Sequence, residues 1–212
     1  MLSIGWQTTL YLIPGILLGL TIHEFCHAFC AWKLGDNTAR DQGRLTLNPI
    51  KHLDLLGFLF IVFAGFGWAK PVQFNPENLK NFRRDKALIA AAGPLSNLLL
   101  GIFLCMCIKG LIAYYTRDEF INPSAFIEQL YIVLFYGASI NFGLFIFNLL
   151  PIPPLDGSHI VFSGLNLEPE TEIKIRKIGL PVLFLILIIQ NYAGITILPI
   201  GHAINFLMEL FL

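Results

Sequence analysis

The chain has 212 residues, 56% hydrophobic and 13% charged, where a soluble domain is about half apolar and a quarter charged, which argues against a water-soluble globule. Fourteen Lys and Arg balance fourteen Asp and Glu, so there is no basic surface for nucleic acid and no acidic block for a solvated tail. The four cysteines, Cys26, Cys30, Cys105 and Cys107, lie in apolar stretches and read as reduced thiols rather than a disulfide framework.

Runs without charge mark the elements. Residues 1–23 carry no Asp, Glu, Lys or Arg, and about 20 apolar residues cross a bilayer. This run has no basic start and leads directly into His23-Glu24 and His27, which predicts a retained membrane helix over about 9–32 rather than a cleaved signal. The next uncharged run, 55–69, has only 15 residues and holds Gly57, Gly65 and Gly67, which predicts a re-entrant hairpin within 53–75. Helices are expected near 87–109, 126–150 and 178–199, with breaks at Asn122-Pro123 and at Pro151-Ile152-Pro153-Pro154. Residues Gly201–Leu212 predict a short interfacial or packing helix. The expected fold is an all-α polytopic membrane protein with about four transmembrane helices, one hairpin and a short C-terminal helix, forming a single domain over 1–212.

Basic residues orient this map. Lys and Arg number four in 33–52, five in 68–86, two in 109–125 and three in 151–177. If the 55–69 run dips and returns, 12 of the 14 fall on one side, which the positive-inside rule makes cytoplasmic. The expected location is the cell membrane, multi-pass, with the active site toward the cytoplasmic side.

His23-Glu24-Phe25-Cys26-His27 is an H-E-x-x-H motif. A helix places residues four apart on one face, so both imidazoles converge on one metal ion with Glu24 beside them. Ionisable groups in a membrane helix cost about 2.5–3.5 kcal/mol each on insertion scales and mark functional sites. The plain alternative, histidines bonded to carbonyls with Glu24 in an ion pair, lacks a partner, since no Lys or Arg lies in the spans. A catalytic zinc needs three protein ligands and an open position. Asp156 is the best third ligand, being the sole acid in 129–167 and following a helix that returns toward the cytoplasmic face. An Asp-Gly pair after prolines is otherwise an ordinary turn.

His23-Glu24-Phe25-Cys26-His27, then GDNTARDQGRLTLNPIKHLD, GWAKPV, AAGPLSN and NLLPIPPLDG, in that order, resemble the site-2 protease family of intramembrane zinc metalloproteases, in its compact branch without PDZ or CBS domain. The resemblance runs from about Leu18 to Gly157, leaving 178–212 as accessory helices. It implies one zinc ion per chain on His23, His27 and Asp156, and Glu24 as the catalytic carboxylate. It also implies a substrate that is itself a transmembrane protein within the lipid bilayer. Asn97 matches the polar position of the family's second core helix and is expected in the active site as an oxyanion donor, with interhelical hydrogen bonding as its plain alternative. Asn148 is expected to hold the kinked segment before Asp156.

Residues 67–74 contain few helix formers and alternate in character from Trp68 to Phe74, which predicts an edge strand that receives an unwound substrate, or else a surface loop anchored by Trp68. His52 and His159 are expected as hydrogen-bonded surface residues in cytoplasmic-side turns, and His202 lies away from every motif.

Overall fold

A computed structural model describes residues 6–64, 67–116, 124–165, 167–192 and 196–212. Among these, three helices are long and apolar enough to cross a bilayer: α1 (Trp6–Lys33), α5 (Phe82–Tyr115) and α6 (Ala125–Asn148). They pack on one another, and their alternating directions return the chain to the side from which α5 departs. The Asn122-Pro123 break lies outside the described residues.

Helix α1 ends in a Schellman motif, with Gly35 N–H donating to Trp32 C=O and Asp36 N–H to Ala31 C=O. Short helices α2 (Thr38–Asp41) and α3 (Pro49–His52) follow. The expected hairpin then takes an asymmetric form. Its first arm is helical, α4 (Leu55–Ala64), because an uninterrupted apolar run at membrane depth must satisfy its backbone internally. Ten residues rise only about 15 Å, half of a bilayer core. Residues 67–75 come back as an open run in which Ala69 alone is bridged, so the expected edge strand over 67–74 does not form as a regular strand. An isolated antiparallel bridge between Leu53 and Ala69 joins the two ends, and Lys70 N–H donates to His52 C=O at 2.8 Å. Entry and exit therefore lie on the same side. Gly57 permits the closure, since a Cβ there would lie 2.0 Å from the Trp68 carbonyl oxygen.

Helix α5 begins at the Asn81 cap, whose side chain accepts from Arg84 N–H while its own N–H donates to Asp85. The helix continues through Pro94. Helices α5 and α6 enclose a core of Leu104, Cys105, Ala138 and Phe142, closed by Met208 of α9 (Ile200–Phe211). The C-terminal segment is thus a packing helix, with Phe211 stacked on Phe142.

After α6 the proline run leads into α7 (Asp156–Leu165), which packs against α5. The fourth expected span differs from its forecast limits. Helix α8 (Pro169–Tyr192) begins nine residues before the charge-free run at 178, because Pro169 at its start and Glu170 and Glu172 in its first turn favour helix initiation. Its charged half is held to the core by Glu172, which accepts from Lys86 of α5 and from Arg176 one turn on.

Candidate metal centre

The centre forms where α1, α5 and the start of α7 meet. His23 and His27, one turn apart on α1, face the first residue of α7. His23 Nε2 lies 3.1 Å and His27 Nε2 3.3 Å from the same Asp156 oxygen, and the two Nε2 atoms are 3.0 Å apart. Two ligand atoms at about 2.0–2.1 Å from a tetrahedral ion stand about 3.3 Å apart. The triangle therefore has the edges of three corners of a zinc tetrahedron, and its chemistry, two imidazoles and one carboxylate, is that of a catalytic zinc set with its fourth corner open. No Lys or Arg forms an ion pair with the group among the described residues.

Each imidazole is oriented by its other nitrogen. His23 Nδ1 meets Asn97 Oδ1 at 2.6 Å, and His27 Nδ1 meets the Ile89 carbonyl at 2.7 Å. Both Nδ1 atoms thus donate, and both Nε2 lone pairs point inward. A carbonyl oxygen has two lone pairs, so Ile89 can accept from His27 Nδ1 while it remains within α5. The close approach of α5 also needs Gly93: a Cβ there would fall 2.4 Å from His27 Nε2 and 2.7 Å from His23 Cε1.

Glu24 sits beside the triangle, buried, with Oε2 accepting from Val72 N–H at 3.0 Å. Arg44, also buried, donates to the Lys70 carbonyl. Burial lowers its guanidinium from the ordinary value, opposed by the Glu24 carboxylate nearby. One edge of the extended segment is thus secured by His52, Arg44 and Glu24.

Of the expected site residues, His23, Glu24, His27, Asn97 and Asp156 all come together here. Asn97 faces the centre differently from expectation. It is fully buried behind His23, and its amide hydrogens go to the Gly19 carbonyl at 3.0 Å and to Asn141 Oδ1 at 2.9 Å. With both donors engaged, it has none to offer an oxyanion, and its contact with the centre runs through His23. Asn148 bonds back to Leu144 in its own helix rather than to the proline run.

His52 is fully buried within α3, not at the surface, because the 44–54 loop folds beneath the extended segment and Thr46 C=O accepts from its Nε2. His159 is half-buried on α7 with Nδ1 3.0 Å from Arg176, and burial together with that guanidinium pushes it down to about 4. His202 is exposed on α9. The four cysteines are free thiols. Asn141, which the sequence reading did not single out, was detectable by the argument applied to Asn97, as a polar amide within an uncharged span.

A family model described as "Peptidase family M50" matches residues 11–190. The chain is similar to "Putative zinc metalloprotease YwhC" of Bacillus subtilis (strain 168), 43% identical over 151 residues covering 71% of this chain and 67% of the relative. It is 35% identical over 169 residues to "Putative zinc metalloprotease Rip2" of Mycolicibacterium smegmatis, covering 76% of this chain and 58% of that one. The protein of the same name in Mycobacterium tuberculosis is 34% identical over 172 residues, again with 58% of its length covered. No solved structure matches the chain.

Proposed function

The chain belongs to peptidase family M50, and from that membership and the geometry of the centre we propose that it is a zinc-dependent endopeptidase cutting peptide bonds in or next to the transmembrane segments of other proteins. The observation that carries the reading is the triangle of His23 Nε2, His27 Nε2 and Asp156 Oδ2 at zinc spacing, with Glu24 beside it. We read residues 18–157 as the catalytic core and 178–212 as accessory within a single domain.

Zinc, when bound there, would supply a Lewis acid for the scissile carbonyl and lower the pKa of water to about 7. Glu24 takes the proton of the attacking water and delivers it to the leaving amine. His23, His27 and Asp156 hold the ion, and the N–H groups at Nδ1 fix which imidazole nitrogens face it. Asn97 acts here as a positioning residue for His23.

A transmembrane helix shields its carbonyls, so attack requires local unwinding to an extended form. The 67–75 segment supports a docking place for it. In extended chain, alternate residues turn their backbone groups to opposite edges. Lys70 and Val72 face His52, Arg44 and Glu24, and Ala69 and Gln73 turn to the other edge, which receives the substrate by strand addition.

The test is Glu24→Gln, which keeps the three ligands and removes the proton acceptor. Zinc content should stay near one per chain while cleavage of a single-pass substrate that the parent cuts falls by about 10²–10⁴. Unchanged cleavage would overturn the mechanism. A parent that binds zinc yet cuts no membrane substrate would favour a zinc-binding scaffold.

A further inference from the structure

We propose that Asn141 of α6 is a positioning residue for the metal centre, acting through Asn97 to hold His23 in its ligating tautomer; this rests on the reading of His23 as a zinc ligand. Four hydrogen bonds run in one direction through three helices. Asn141 Nδ2 donates to the Gly137 carbonyl at 2.8 Å, and Asn141 Oδ1 accepts from Asn97 Nδ2 at 2.9 Å. The same Asn97 nitrogen donates to the Gly19 carbonyl at 3.0 Å, and Asn97 Oδ1 meets His23 Nδ1 at 2.6 Å.

A side-chain amide can flip, and only the groups around it decide which way it points. The Gly137 and Gly19 carbonyls can only accept. The first forces the Asn141 amide nitrogen toward its own helix and its oxygen toward Asn97. The second, together with that oxygen, forces the Asn97 nitrogen away from His23 and its oxygen toward it. Facing an oxygen, His23 Nδ1 must carry the proton, which leaves Nε2 with its lone pair toward His27 and Asp156.

Reversal of either amide would set donor against donor or acceptor against acceptor, in a region where both asparagines are 0% exposed and no water can relieve the mismatch. An apolar side chain would pack α6 against α1 more simply. Two buried amides joined to each other and to a metal-facing histidine are better explained by the orientation they impose.

Zinc affinity, measured by competition with a chelator on folded detergent-solubilised protein, tests this without recourse to activity. Asn97→Ala should weaken zinc about 10- to 100-fold, the usual loss for an orienting partner of a ligand. Asn141→Leu, close in volume but without hydrogen-bonding groups, should weaken it about 10-fold. The double variant should be no weaker than Asn97→Ala alone, because both substitutions break one chain of orientation. Where the leucine variant does not fold, Asn141→Ser, too short to reach Asn97, carries the same expectation. Parental affinity in the Asn141 variants would overturn the inference. So would losses that add in the double variant, since a general packing role at α6 would act independently of Asn97. A parent protein that binds no zinc would overturn the metal-centre reading itself.

Discussion

At the scale of single residues, the centre depends on a missing side chain as much as on those present. Alanine is a better helix former than glycine by about 1 kcal/mol, so Gly93→Ala would stabilise an isolated α5. In the folded chain the added methyl would fall 2.4 Å from His27 Nε2, a distance non-bonded carbon and nitrogen do not adopt. The imidazoles are tied at Nδ1 to Asn97 and Ile89, so they cannot swing aside without losing those bonds. Gly93→Ala should therefore weaken zinc by about 10-fold or more while helical content by circular dichroism stays at the parental level. Undiminished zinc affinity would show that α5 can retreat from the ligands. The ligands themselves should behave more steeply. Replacing His23, His27 or Asp156 by Ala leaves two of three protein donors, and metal analysis should find zinc lost from each. Zinc retained in Asp156→Ala would remove Asp156 from the set.

Among the elements, a second carboxylate joins Glu24 in linking α1 to the extended segment. Asp36, just past the end of α1 and fully buried, accepts from Thr38 N–H at 3.1 Å, Thr38 Oγ at 2.6 Å, Asn78 Nδ2 at 2.7 Å and Asn75 N–H at 2.8 Å. Asn75 ends the 67–75 segment and Asn78 lies in the turn that follows it, so Asp36 sets where that segment lies relative to Glu24. Burial alone would raise its pKa, but the donors outweigh it and hold it below the ordinary 3.8. A depressed carboxylate pKa adds stability that is complete above the unfolded value and is lost as pH falls through the folded one. Asp36→Asn should accordingly melt earlier than the parent at neutral pH, by about 2 kcal/mol of stability. The difference should shrink only below pH 3.8 and vanish beneath the folded pKa. Thermal melts of both proteins across that range measure it, and a difference independent of pH would refute the charge-based account. This link was not legible in the sequence, where Asp36 and Asn78 are 42 residues apart and meet only through folding. His23, Glu24 and His27 were legible because one helical turn fixes their mutual placement. Asp156 was legible because no other acid occurs between 129 and 167. The early start of α8 was missed because a charge-free run marks apolar burial, whereas this helix begins in charged residues.

For the whole molecule, the hairpin decides which residues share a side of the membrane. Leu53 and Ala69 are bridged, and α4 is too short to cross, so the chain enters and leaves the bilayer on one face. Among the described residues, the basic side chains from Lys33 to Lys86 then join Lys174 to Lys177 on that face, leaving Lys109 opposite. From the positive-inside rule we infer that the crowded face is cytoplasmic. His23 lies ten residues before Lys33, about 15 Å along the helix, so with that orientation the centre would lie in the inner half of the bilayer. This geometry is tested by single cysteines at Lys51, Lys80, Lys174 and Thr116, all exposed, in a background with the four native cysteines replaced by serine. An impermeant maleimide should label the first three in inverted vesicles only, and Thr116 in right-side-out vesicles only. Labelling of Lys51 and Lys80 from opposite sides would make α4 part of a true crossing and separate Glu24 from the segment that its carboxylate now holds. Reversal of all four would keep the fold and move the centre to the outer half, where a substrate would have to present its scissile bond near the opposite end of its span.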